Sequence, residues 1–126
     1  MSERWILGEF DAALKQLDSA LSVPATSDVF RAGCIQYFEF CFELAWKSIR
    51  EVGRESGLPE CFSPKGCLKQ AFASGWIRDE ETWLQMLEAR NRMSHTYNAR
   101  EALTIYESLS GFLPELQLLS GHLRNA

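Results

Sequence analysis

Within eight residues the chain places two arginines, an asparagine, a serine, a histidine and a tyrosine: Arg90-Asn91-Arg92-Met93-Ser94-His95-Thr96-Tyr97. Histidine titrates near neutrality and can give or take a proton. Arginine carries a permanent charge and paired donors that match phosphate oxygens. These side chains suit proton transfer and anion binding, and the elements around them must bring them together.

The preceding residues, Asp79 to Ala89, read as the opening turns of a helix. Asp79 is its expected N-cap, and Glu80 and Glu81 put negative charge where the helix dipole favours it. With Leu84 as the zero of a wheel, Leu87, Trp83 and Met86 define an apolar arc from roughly 0° to −160°. Glu88, Arg92, Gln85 and Thr96 fill the opposite side. The next turns break the pattern. Asn91, Ser94, Arg90 and Tyr97 fall at roughly −20°, −80°, −120° and −140°, inside the arc, with His95 just beyond its edge. Polar groups where burial is expected mark a functional patch or a hydrogen-bond network that fixes the bundle.

The rest of the chain reads as helices. Residues 5 to 22 form an amphipathic helix on Phe10, Leu14, Leu17 and Leu21. Pro24 ends it, and Ser27 or Asp28 caps a second and longest helix from Val29 to Ser56. The centre of that helix, Tyr37 to Trp46, is apolar on almost every side, so it needs partners all round. In so small a domain one side is expected to meet a second subunit, which predicts a homodimer. Lys47, Arg50 and Arg54, interleaved with Glu43, Glu51 and Glu55, read as a solvated ion-pair face. Ser63-Pro64 starts a short third helix that Gly75 closes. Asn98 and Glu101 have capping-box spacing and open a last helix, which Pro114 should kink or interrupt before Leu116 to Leu123. No segment alternates like a strand. The fold class is therefore all-α, an up-and-down bundle of four to five helices in a single domain over residues 1–126.

A length of 126 residues allows one modest core, and 46% hydrophobic with 24% charged residues is a water-soluble balance. The formal charge of −4 argues against a surface that coats nucleic acid broadly, but leaves room for a small basic pocket. Cys34, Cys41, Cys61 and Cys67 lack CxxC spacing, and neither histidine lies near them, so no metal site is expected. They read as reduced, partly buried thiols of a cytoplasmic protein. The N-terminal stretch has no apolar core of the signal-peptide kind, and no run approaches transmembrane length. His122 reads as a surface residue, and Trp5, Trp46, Trp76 and Trp83 as core.

Three separated stretches, Phe38-Glu39-Phe40-Cys41-Phe42-Glu43-Leu44-Ala45-Trp46-Lys47, Ser63-Pro64-Lys65 and Arg90 to Tyr97, resemble the nucleotidyltransferase substrate-binding proteins of the HEPN superfamily. The resemblance spans nearly the whole chain. It implies a dimeric helical bundle, HEPN-like, that assembles with a separately encoded minimal nucleotidyltransferase. In the HepT-like toxin branch the pattern Arg-x4-His-x-Tyr carries a metal-independent ribonuclease, and the partner acts as antitoxin and can transfer adenylyl groups to the tyrosine. The pattern is complete here at Arg90, His95 and Tyr97. Arg90 and His95 are thus the implied catalytic pair, Asn91 and Ser94 substrate contacts, and Tyr97 the AMPylation site, with no cofactor. Arg92 departs from the more neutral residue expected inside the motif.

Metal-free RNA cleavage needs a base at the 2′-hydroxyl, an acid at the leaving oxygen and a cation for the phosphorane charge. One histidine cannot easily serve as both acid and base, and a dimer axis would supply the second copy. On one helix Arg90 and His95 stand about 140° apart and about 7.5 Å along the axis, so a pocket between symmetry-related helices suits them better. The alternative is a non-catalytic subunit that presents a substrate or nucleotide to the transferase.

Overall fold

The computed structural model describes residues 5–93 and 98–126, and these form five helices. They are α1 (Trp5–Leu21), α2 (Asp28–Glu55), α3 (Pro64–Ala73), α4 (Glu80–Met93) and α5 (Ala99–Arg124). Each start from α2 onward is set by a short polar side chain. Ser27 Oγ accepts from Phe30 N at 3.1 Å, Ser63 Oγ from Gly66 N at 3.0 Å, and Asp79 Oδ1 from Thr82 N at 3.0 Å. Asn98 Oδ1 accepts from Arg100 N at 2.9 Å and Glu101 N at 3.1 Å. These are the orphan donors of a first helical turn, satisfied locally. Gly57 and Gly75, at φ 79° and 78°, turn the chain after α2 and α3 in the left-handed region that glycine enters without a Cβ clash.

Helices α1, α2 and α5 pack pairwise, α3 lies on α2, and α4 closes the bundle against α3, α5 and α2. The core rings come from three helices: Phe38 meets Phe112 at 5.4 Å between centroids, and Phe42 meets Trp83 at 6.4 Å. Such tilted pairs add to the area they bury. At the far end Asp11 of α1 accepts from Ser120 and pairs with Arg124, both on α5.

Several expectations change. Helix α5 runs on through Pro114 without interruption. Pro114 and Ser110, whose carbonyl the proline leaves unpaired within the helix, are both exposed, while Phe112, Leu113, Leu116 and Leu119 are buried around them. Water can satisfy that carbonyl, and the apolar contacts on both sides hold the helix together. The Asn98 cap forms and opens α5 as the spacing predicts, and the Glu101 carboxylate lies 3.3 Å from Arg92. Cys61 and Cys67 are joined in a disulfide, and only Cys34 and Cys41 are free thiols. The Ser63-Pro64 helix start folds the first turn of α3 back on Cys61 and brings the two Cα atoms to 5.2 Å, within disulfide range. Trp5 is exposed and Trp76 half-buried, whereas Trp46 and Trp83 are core.

The apolar run on α2 is only partly consumed by the bundle. Phe38, Cys41, Phe42, Ala45, Trp46 and Ile49 are buried, but Tyr37 stays 37% and Phe40 50% exposed. With half-buried Leu44 they share one face at spacings of three and four. Among the described residues, no helix is long and apolar enough to cross a membrane.

Candidate functional site

Helix α4 is short and carries its buried face on Trp83, Met86 and Ala89, with Leu87, Arg90 and Met93 at intermediate depth. That face is rotated from the sequence expectation. Leu84 is 40% exposed, and Asn91, beside it on the wheel, is exposed too. The large indole of Trp83 selects the rotation, because it is the side chain that fills the space against Phe42 of α2. Arg90 therefore points towards the bundle and Asn91 away from it.

Arg90 is met by α2. Its Nε lies 2.9 Å from Glu43 Oε2, each side chain 32% exposed, and its Nη1 donates to Asn91 Oδ1 at 3.2 Å. The other Glu43 oxygen, Oε1, accepts from Trp46 Nε1 at 3.1 Å. Glu43 is thus held from both sides, and it fixes which way the guanidinium faces. One turn earlier on α2, Glu39 senses the same group. Burial pushes its carboxyl above the ordinary range, the Glu43 charge pushes it further, and Arg90 pulls it back. Arg90 therefore sits beside two carboxylates rather than as a bare cation.

Arg92 faces outward, between Glu88 at 3.4 Å and Glu101 at 3.3 Å. It borders two hollows. One, of about 350 Å³, is also lined by Lys65, Leu84, Leu87 and Asn91. The other, of about 190 Å³, is lined by Arg100, Thr104 and Ile105. Asn91 and Arg92 thus share a concave surface with Lys65, the last residue of the Ser63-Pro64-Lys65 stretch. Ser94, His95 and Tyr97 lie outside the described residues.

Glu39 and Glu43 are not legible in the sequence as parts of the site. The spacing groups Glu43 with a solvated ion-pair face, along which Arg54 bridges Glu51 at 3.4 Å and Glu60 at 2.9 Å. Lys47 and Arg50 instead lie over the Trp46 ring, at 5.8 Å and 5.3 Å. One signal is present. Two acids four apart inside a greasy helix repel each other unless a cation from elsewhere answers them.

Known proteins share this architecture. The family model described as "Nucleotidyltransferase substrate binding protein like" matches residues 6–125. A "Probable ribonuclease HepT" of Haemophilus influenzae is 27% identical over 139 residues, covering 98% of this chain and 95% of that protein. A crystal structure from Thermus thermophilus superposes with a TM-score of 0.84 at 32% identity, over 91% of this chain and 98% of that one. A Haemophilus influenzae structure, described as revealing the fold of a substrate binding domain of a nucleotidyltransferase, gives 0.81 at 29% identity, over 94% and 98%. With a match that runs from the first turn of α1 to the end of α5, the chain belongs to the nucleotidyltransferase substrate-binding-protein-like family.

Proposed function

We propose that the chain is a HepT-like toxin, a metal-independent ribonuclease that works in the cytoplasm as a homodimer and is silenced by a separately encoded minimal nucleotidyltransferase. The whole chain acts as one HEPN-like domain. The observation that carries this reading is the Arg90–Glu43 pair, within a chain whose Arg90-x4-His95-x-Tyr97 pattern is complete. Glu43 lies against Nε of Arg90 and Asn91 takes one Nη1 donor, which leaves Nη2 to a phosphate. There the fixed charge offsets the negative charge that builds on the phosphorane oxygens. His95 transfers the proton at the 2′-hydroxyl or the leaving oxygen, and the second His95 of the dimer takes the other role. Asn91 and Ser94 contact the substrate. The similarity to a probable ribonuclease HepT supports the same reading.

A second reading draws on the Haemophilus structure described as a substrate binding domain: a non-catalytic subunit that holds a nucleotide or other substrate for the transferase. Incubation with the cognate transferase, ATP and Mg²⁺ separates the two. The toxin reading expects AMP mass on the wild type and none on Tyr97→Phe. An adenylyl group on Tyr97 would add charge and bulk to the motif that RNA must reach. Nucleotide transferred to another acceptor held by the complex, with Tyr97 unmodified, would favour the subunit reading.

A further inference from the structure

Two cations near the motif have no part in the catalytic reading: Lys65 of the Ser63-Pro64-Lys65 stretch and Arg100 at the start of α5. Both are exposed, and each is the second residue of its helix, Pro64–Ala73 and Ala99–Arg124. That end of the helix dipole favours acids and disfavours cations. Helices α2 and α4 follow the rule, with Asp28 in one first turn and Glu80 and Glu81 in the other. Cations kept at the disfavoured end of two helices break a local rule, and such breaks gather at functional sites. An anion bound there would reverse the sign of the effect.

Lys65 and Arg100 line adjoining hollows. Lys65 borders the one of about 350 Å³ and Arg100 the one of about 190 Å³, and Arg92 is a wall of both. The larger hollow falls within the size of small-ligand sites, about 300–1,000 Å³. Leu84 and Leu87 give it an apolar floor, while Lys65, Asn91 and Arg92 give it a polar edge. Leu84 is 40% exposed because the rotation set by Trp83 leaves it out of the core. An apolar floor with cations at its rim matches a nucleoside joined to phosphates. Asn91 links this hollow to the site, since its Oδ1 accepts from Arg90 Nη1 at 3.2 Å. Two acids oppose the three cations: Glu88 and Glu101 lie 3.4 Å and 3.3 Å from Arg92. Exposed pairs of this kind contribute little, so a phosphate can exchange with either acid.

We propose that the two hollows form a track for single-stranded RNA that leads to Arg90, a placement that rests on the ribonuclease reading for its choice of ligand. One nucleotide lies in the larger hollow, its base on Leu84 and Leu87 and its phosphates at Lys65 and Arg92. The backbone then crosses Arg92 to Arg100 over the smaller hollow. A paired base cannot turn onto the leucine floor, so the track takes an unpaired strand. With a formal charge of −4 on the whole chain, the attraction is confined to this edge.

The test uses the full-length protein without its transferase, in EDTA, and a short fluorescent 2′-O-methyl oligoribonucleotide. That probe has no free 2′-hydroxyl, so binding is read by anisotropy apart from cleavage. Lys65→Gln and Arg100→Gln should each bind about threefold to tenfold more weakly, and each should reduce the slope of log affinity against log salt by about 0.7. Leu84→Glu should weaken binding by about tenfold or more with little change in the melting curve, because it sets a like charge on the floor at an exposed position. The same strand annealed into a duplex should compete poorly. Such binding by a wild type that cleaves no RNA would support the track and tell against the ribonuclease reading. RNA cleavage by the wild type, with wild-type affinity and salt slope in all three variants, would overturn the track alone. Absence of saturable binding would overturn it too. So would variants that lose the transferase or the dimer while keeping RNA, which would assign the hollows to a protein contact.

Discussion

Arg90 Nε lies 2.9 Å from Glu43 Oε2, and the other oxygen of the same carboxylate holds the Trp46 indole. One acid on α2 thus ties the first residue of the Arg-x4-His-x-Tyr motif to an aromatic side chain of the core. The consequence is positional: the guanidinium is aimed by the bundle, not only by its own helix.

Glu43→Gln should therefore separate positioning from stability. A pair one-third exposed contributes at most about 1 kcal/mol to folding, so the melting temperature should move little. RNA cleavage should fall by about tenfold or more, mostly in kcat, because the ion pair that orients Arg90 is lost. Arg90→Ala should cost more, about 10²–10³ in rate, as removal of an oriented donor does. A Glu43→Gln enzyme with unchanged kcat and a lowered melting temperature would assign the pair to stability alone.

Glu39 should reveal itself through pH. Its carboxyl is raised in the folded protein by burial and then by Glu43. A raised acid favours folding below its unfolded pKa and loses that contribution as pH rises through the folded value. Glu39→Gln should accordingly be more stable than wild type at pH 7, with the difference shrinking towards about pH 4, the ordinary glutamate range. Denaturant melts at the two pH values read this directly. A Glu39→Gln protein less stable than wild type at neutral pH would show that the attraction to Arg90 outweighs burial.

The cysteines give a chemical readout. Burial holds the Cys34 thiol above its usual range and pushes Cys41 up to about 12, so neither forms thiolate near neutrality. Iodoacetamide should leave the native protein almost unlabelled. Unfolding without reductant should expose two alkylatable thiols, and unfolding with reductant four, because Cys61 and Cys67 are paired. Four labels without reductant would contradict the disulfide.

The exposed face of α2 tests the assembly. Tyr37 and Phe40 leave apolar surface in water where a stable interface needs about 800 Å² per partner. Phe40→Glu should turn a dimer into a folded monomer in light scattering. A dimer that survives both Phe40→Glu and Tyr37→Glu would place the subunit contact on another face.

Much of the fold is legible because helix signals are local. The Ser27, Ser63, Asp79 and Asn98 caps sit where short polar residues precede apolar periodicity, and each is found there. What is not legible depends on contacts between distant segments. The rotation of α4 is decided by Trp83 meeting Phe42, which no wheel drawn on α4 alone contains. Pro114 carries a penalty that its local sequence announces and that the packing of α5 on α1 and α2 outweighs. The Cys61–Cys67 bond follows from a turn, not from a spacing rule. In the candidate site, the arginine is visible in the motif, but its carboxylate partner lies 47 positions earlier, on another helix.

The most direct measurement is cleavage of single-stranded RNA by the purified protein, freed of its transferase, in excess EDTA. The wild type should give products with 2′,3′-cyclic phosphate ends, His95→Ala should give none, and Arg90→Ala should cleave at a rate reduced by about 10²–10³. Cleavage by His95→Ala at the wild-type rate, or a wild type that cleaves nothing while binding its transferase normally, would contradict the ribonuclease assignment.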